Sequence, residues 1–387
     1  MVDTADATPD IPTLAREVLR PLVASGPHGR VNRPLIRALG EHGLLARLFP
    51  VALGGSNPAG VSAAELCRLR EAMGRECTEA ETALALQGLG SYPIVQSGSD
   101  DLAGRWIPGV ARGEVVAAFA LSEPGAGSDA AALALAAEPD GDGWRLTGEK
   151  TWISNAPDAD VYTVFARTTP GAGARGVSAF AVAGDAPGLG GESIDMLAPH
   201  AVGRLTFDGV PVAAGDLLGE AGDGFRVAMR TLDLFRPSVG AFAVGMAQAA
   251  LDLAVAHAAT REAFGRPIAE FQAVSHTLAE MAIRIEASRL LVREAATSYD
   301  RRAGGDGTVS PEEITRRSAM AKVHATETAA YAVDAAVQIH GARALVVGHP
   351  LEHLYREARA PRIYEGTSEI QRTIIARALL AAGGERS

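Results

Sequence analysis

Hydrophobic positions change their spacing twice along the 387 residues. The opening stretch reads as short helices between Gly- and Pro-rich breaks. In Arg33-Pro34-Leu35-Ile36-Arg37-Ala38-Leu39-Gly40, Pro34 suits a first helical turn and Gly40 an early stop. Ser62-Ala63-Ala64-Glu65 is a capping-box pattern and predicts a helix running to about Gly74. From Val115 the pattern shortens to alternating or β-branched runs bounded by Gly, Pro, Asp or Asn. Segments 115–121, 144–154, 161–166, 177–182 and 204–207 are the strands this predicts, in an antiparallel sheet or barrel. From Phe225 the helical period returns. Phe271, Val274, Leu278, Met281 and Ile285 share one face, with Glu280, Arg284 and Arg289 elsewhere. Ser310-Pro311-Glu312-Glu313 caps a further long helix expected to end near Gly341, and Gly304, Gly305 and Gly307 link the two. The expected plan is α+β: an N-terminal helical domain (1–115), a middle antiparallel β-domain (116–222) and a C-terminal helical bundle (223–387).

Composition narrows the function classes. With 47% hydrophobic and 21% charged residues, the chain can build a large core, which excludes disorder. A net charge of −10 argues against binding to a nucleic-acid backbone. Two cysteines, Cys67 and Cys77, make no disulfide framework and fit a reducing compartment. The start, Met1-Val2-Asp3-Thr4-Ala5-Asp6, lacks a basic-then-apolar leader pattern. The longest apolar stretch, 237–251, reads as too short to span a bilayer. A cytoplasmic protein is expected. Lysine occurs only at positions 150 and 322, and with the many Ala and Gly residues this points to a GC-rich bacterial genome.

Two motifs are decoys. Gly171-Ala172-Gly173-Ala174-Arg175-Gly176 spells a dinucleotide fingerprint, but a strand-like run follows it where that fold needs a helix. It reads as a hairpin loop. His349-Pro350-Leu351-Glu352-His353 spells a zinc-protease pattern, but Pro350 sets His349 at the very start of a helix and no third ligand is evident. No metal is expected.

Three other stretches carry candidate chemistry. In Phe119-Ala120-Leu121-Ser122-Glu123-Pro124-Gly125-Ala126-Gly127-Ser128-Asp129 a strand ends in a glycine-rich loop able to bring backbone N–H groups to a phosphate, though a simple turn explains it too. In Thr147-Gly148-Glu149-Lys150-Thr151-Trp152-Ile153-Ser154-Asn155, strand alternation puts Trp152 and Ser154 on one face, where an indole and a hydroxyl suit a polar-edged ring system. Taken alone, Trp152 reads as a buried core residue. In Arg362-Ile363-Tyr364-Glu365-Gly366-Thr367-Ser368-Glu369-Ile370-Gln371-Arg372, Ser368 and Gln371 form a capping box after a glycine turn. Capping leaves Glu365 unexplained. A carboxylate in an apolar cleft has a raised pKa and serves as a general base.

The combination resembles the acyl-CoA dehydrogenase family over nearly the whole chain. The plan of helices, β-domain and helical bundle is the family's. Its hallmark segments are similar to Glu123–Asp129, Trp152–Asn155, Arg261-Glu262-Ala263-Phe264-Gly265, Gln272, Gln338-Ile339-His340-Gly341 and Tyr364–Arg372. The resemblance implies bound FAD. Phe119, Leu121 and Ser122 would line the flavin, Trp152 would pack on it and Ser154 would approach N5. Gly127 and Ser128 would meet the pyrophosphate, Ser128 also the acyl-thioester. Thr367 and Glu369 would touch the adenosine half. Arg261, Phe264, Gln272, Gln338 and Gly341 would reach the FAD of a neighbouring subunit, which implies a homo-oligomer, usually a tetramer. Asp233, Arg236, Tyr364 and Gly366 would border the substrate.

By the same resemblance Glu365 would remove the α-proton as the β-hydride leaves to flavin N5, giving a trans-2-enoyl thioester. The thioester oxygen would lie against the Glu365 N–H and a ribityl hydroxyl. Some members carry the base on the helix of Asp233, where this chain has Phe235. Ala342 stands where many members have a second glycine, and 82–89 says nothing of acyl length. The acceptor implied is an electron-transfer flavoprotein. A carrier-protein thioester as substrate, a flavin monooxygenase and a non-catalytic thioester-binding subunit are the alternatives.

Overall fold

The computed structural model describes residues 10–58 and 60–384, so the leader reading at Met1–Asp6 lies outside the described residues. Two helical turns, α1 (Ile11–Leu14) and α2 (Arg20–Ala24), precede α3 (Arg33–Glu41), α4 (Ala63–Glu76), α5 (Thr78–Ser97) and α6 (Asp100–Ala111). Asn32 starts α3 by accepting from the Leu35 N–H at 3.1 Å, with Pro34 in the first turn. Gly40 does not stop it. The helix continues to Glu41 and Gly43 turns the chain at φ +69°, whereas a Cβ at Gly40 would strike the Arg112 carbonyl. Ser62 caps α4 as expected, its hydroxyl accepting from the Glu65 N–H at 3.2 Å. That helix runs past Gly74, whose missing side chain admits Phe242.

The middle of the chain forms β1 (Ala117–Ala120), β2 (Ala136–Asp140), β3 (Gly143–Ser154), β4 (Val161–Arg167), β5 (Val177–Ala183), β6 (Leu189–Ser193) and β7 (Val202–Val212). They make one seven-stranded sheet in the order β1-β4-β2-β3-β7-β6, with β5 also on β4. The sheet is mixed rather than purely antiparallel, because β1 and β2 both run parallel to β4. Neither β2 nor β6 was expected. Ala136-Ala137-Glu138-Pro139-Asp140 and Leu189-Gly190-Gly191-Glu192-Ser193 have little β-propensity, and pairing to β3 and β7 holds them extended. The Gly171–Gly176 segment lies in the loop between antiparallel β4 and β5, as read.

The last third contains α7 (Gly224–Thr260), a small ribbon of β8 (Glu262–Ala263) and β9 (Arg266–Pro267), then α8 (Gln272–Ala303), α9 (Pro311–His340), α10 (Pro350–Glu357) and α11 (Ser368–Gly384). Ser310 caps α9 by accepting from the Glu313 N–H at 3.1 Å. The apolar stretch at 237–251 belongs to a longer helix than its length suggested. The most apolar 18-residue window of α7 has mean hydropathy 1.6, so length does not exclude a membrane span, but 67% of that window is buried. Its partners are α4, α8 and α9. Among the ties between the N-terminal helices and this bundle, Asp300 of α8 accepts from the Ala63 and Ala64 N–H groups at the start of α4, at 2.6 and 3.0 Å.

Candidate active site

Glu365 stands in the turn between α10 and α11 with φ +53°, a left-handed conformation that a residue with a Cβ rarely holds. Side chains from three helices fix it there. Arg236 of α7 donates Nε–H to the Glu365 carbonyl at 3.1 Å, and Gln371 of α11 donates to that carbonyl at 3.1 Å and to the Gly366 carbonyl at 2.9 Å. Lys322 of α9 donates to the Gly366 carbonyl at 2.7 Å. Gly366 itself, at φ +92°, has no room for a Cβ beside Gln371. The Glu365 carboxylate is treated otherwise: its Oε2 is buried and has no hydrogen-bond partner. Burial pushes this carboxyl above the ordinary glutamate value, while Arg70, Lys322 and Arg236 pull it back.

The expected capping box is not what starts α11. Thr367 takes the cap, its hydroxyl accepting from the Ile370 N–H at 3.3 Å. Ser368 instead donates to Glu327 at 2.6 Å, and Gln371 is occupied by the two carbonyls before the helix. Phe235 is buried on α7, its ring meeting Tyr92 at 6.2 Å between centroids. Asp233 accepts from Thr315 at 2.8 Å and lies 3.6 Å from Arg236. Tyr364, next to Glu365 in the chain, is partly exposed.

A second cluster lies where β1 ends. Lys150 of β3, fully buried, donates to the Leu121 carbonyl at 3.0 Å and to Glu123 at 2.7 Å. The same carboxylate accepts from the Ala134 and Leu135 N–H groups at 2.6 and 2.9 Å. The loop is thereby anchored at its root and open at its tip. Gly125, Gly127 and Ser128 are exposed, and a Cβ on either glycine would meet nothing within 4 Å. Phe119 packs on Phe165 at 4.9 Å between ring centroids, and Leu121 and Ser122 are half-buried beside it. Trp152 is not a core residue. It is 59% exposed at φ +60°, in a register shift between Lys150 and Ile153 that breaks the strand alternation used to pair it with half-buried Ser154.

Three family profiles match this chain: the N-terminal domain of acyl-CoA dehydrogenases over residues 10–114, the middle domain over 118–210 and the C-terminal domain over 222–380. The chain belongs to the acyl-CoA dehydrogenase family. It is 34% identical over 377 residues to a cyclohexane-1-carbonyl-CoA dehydrogenase of Geobacter metallireducens, covering 96% of each chain. The structure of butyryl-CoA dehydrogenase from Megasphaera elsdenii superposes with a TM-score of 0.88 at 32% identity, covering 98% of this chain and 100% of that one. The prolyl acyl carrier protein oxidase AnaB superposes with a TM-score of 0.87 at 26% identity, covering 95% and 96%.

Members of this acyl-CoA dehydrogenase family are FAD-dependent enzymes, and the residues present fit that group. The open Gly125 and Gly127 positions leave backbone accessible to a phosphate, and Trp152 presents an uncovered indole. The remaining expected cofactor contacts are spread over the surface. Arg261 follows α7, Phe264 is 96% exposed at φ +54° in the β8–β9 turn, and Gln272 opens α8. Gln338 and Gly341 close α9, which meets the end of α7 where His257 and His340 stack at 4.2 Å. Gly341 takes positive φ (+63°) and Ala342 does not, so the second glycine is not needed for this turn. Glu369 is exposed on the first turn of α11.

His349 caps α10, its Nδ1 accepting from the Leu351 N–H at 3.1 Å, and His353 bonds Thr78 at 2.7 Å. Sequence reasoning missed Lys322 and the Lys150–Glu123 pair, and it gave Gln371 a capping role in place of its hold on the Glu365 and Gly366 carbonyls. It also missed Arg70, which is buried against Glu81 and donates to Ser238 at 2.7 Å. A usable signal existed: only two lysines in a chain that otherwise uses arginine.

Proposed function

We propose that this enzyme oxidises the α,β carbon–carbon bond of an acyl-CoA thioester to the trans-2-enoyl thioester, with Glu365 as the α-proton base. The observation that carries the reading is the bare, buried Oε2 of Glu365 on a turn whose backbone carbonyls are fully held. A carboxylate with no donor on one oxygen and a raised pKa is ready to take a proton from carbon. Phe235 on α7 has no group that takes a proton. FAD, when bound, supplies the acceptor for the β-hydride at flavin N5.

The chain's own residues position the reaction. Arg236 and Gln371 orient the Glu365 backbone, whose N–H would support the thioester oxygen as enolate charge develops. Tyr364, Gly366 and Asp233 would border the acyl group. Phe119, Leu121, Ser122, Gly127, Ser128, Trp152 and Ser154 would hold the flavin and pyrophosphate, Ser128 also the thioester, and Thr367 and Glu369 the adenosine half. Arg261, Phe264, Gln272, Gln338 and Gly341 would complete the FAD site of a second copy, in a homotetramer. An electron-transfer flavoprotein would reoxidise the cytoplasmic enzyme.

The similarity to AnaB favours one second reading, an acyl group carried on a carrier protein. Anaerobic mixing with a panel of acyl-CoA and acyl-carrier thioesters tests both. At least one acyl-CoA should bleach the flavin absorbance and yield the enoyl-CoA. Bleaching by carrier thioesters alone would move the assignment to the second reading, and a bound flavin that no thioester bleaches would defeat both.

A further inference from the structure

The chain uses arginine for every basic group except Lys150 and Lys322, and both lysines are fully buried. Lys150 neutralises a glutamate. Lys322 does not: its ammonium goes to the Gly366 carbonyl, one residue beyond Glu365, and shares that oxygen with Gln371. Burying an ammonium against a neutral carbonyl is costly unless a nearby anion offsets the lost hydration. That anion is next door, in the Glu365 carboxylate left without a donor.

We propose that Lys322 is a positioning residue for Glu365: with Gln371 it holds the left-handed turn, and its charge sets the field in which the bare carboxylate takes its proton. This rests on Glu365 being the base. The other groups facing the carboxylate are Arg70 on α4 and Arg236 on α7, with Asp233 beside the latter and Tyr364 in the same turn. Around Lys322 stand Glu365, Arg236, Glu327 and Glu369. Arg70 is engaged by Glu81 and Ser238, and Arg236 by the Glu365 carbonyl and Asp233, so Lys322 is the cation with no carboxylate of its own within ion-pair distance among the described residues. Burial brings its ammonium down to about 8, which leaves it charged at neutral pH and neutral in mild alkali.

The test is the pH dependence of anaerobic flavin reduction in K322Q and K322R holoenzyme, with E365Q alongside. Glutamine keeps a donor for the Gly366 carbonyl and removes the charge. K322Q should move the acid limb of the profile upward by about half a pH unit or more, because the carboxylate loses a cation that favours its ionised form. K322R should restore the limb. An infrared titration of the carboxyl band that E365Q removes should shift the same way, independently of turnover. A K322Q profile and titration matching wild type would overturn the proposal, as would a lower rate with the limb unmoved. A K322Q chain that fails to fold would count equally against it, leaving Lys322 a structural role only. If E365Q reduces its flavin at the wild-type rate, the base assignment has failed instead.

Discussion

Lys150 and Lys322 each place a buried ammonium beside a glutamate, and the two sites differ in what the carboxylate receives. Glu123 takes Lys150 and two backbone N–H groups, so each of its oxygens has a donor. Glu365 takes nothing on Oε2, and Lys322 bonds the neighbouring carbonyl instead. Burial brings both ammonium groups down to about 8, so desolvation acts alike on the two lysines. The difference lies in the acids. A carboxylate whose lone pairs are occupied anchors a loop, and one held in place only through its backbone is free to react.

Breaking the closed site should have the largest effect on stability. Lys150→Met leaves Glu123 buried without its cation, a loss of about 3–5 kcal/mol for a broken buried pair. Calorimetry and the flavin-to-protein absorbance ratio should show a lower thermal midpoint and depleted FAD, since the Leu121 carbonyl also loses its donor. A K150M protein with the wild-type midpoint and full flavin would show that the pair does not anchor the loop.

Arg236→Ala probes the open site from its backbone side. It removes one of two donors to the Glu365 carbonyl, a hydrogen bond from a charged group worth about 1.5–3 kcal/mol. Stopped-flow reduction should slow by roughly ten- to a hundredfold, with thioester still bound. An unchanged rate would mean that Gln371 alone holds the turn.

Glutamine should act with opposite sign at the two acids, and its effect at Glu365 is the smallest expected here. Folding raises the Glu365 carboxyl, so the stability tied to its neutral form is present below the unfolded value of 4.5 and lost as pH rises through the folded value. Glu365→Gln should therefore raise the thermal midpoint at neutral pH, with the gain fading towards pH 4. Glu123→Gln should lower it. Two glutamine variants that both destabilise would erase the distinction between the sites.

Much of the architecture was legible from short-range signals. The Ser62 and Ser310 caps, the helical period of α8 and the hairpin at 171–176 depend on neighbours within a few residues, and local chemistry decides them. What was illegible depends on distant partners. Ser368 had the right spacing for a cap, but Glu327 claims its hydroxyl and Thr367 caps instead. Trp152 sat in a run of strand alternation, yet a register shift against β7 turns it outward. The pairing partners that hold β2 and β6 extended lie outside those segments' own composition. Glu365 was found because nothing local explained it, while the cations around it come from α4, α7 and α9 and leave no trace in the nearby sequence.

The central claim, that the undonated carboxylate of Glu365 is the base, is tested most directly by single-turnover flavin reduction in E365Q under anaerobic conditions. Glutamine preserves size and leaves Arg236, Gln371 and Lys322 bonded to the same backbone carbonyls, so FAD and thioester should still bind. Reduction should fall by about 10²–10⁴-fold, the loss typical of a missing general base. Reduction at the wild-type rate would contradict the account and direct attention to Asp233, the acid on α7 next to Arg236.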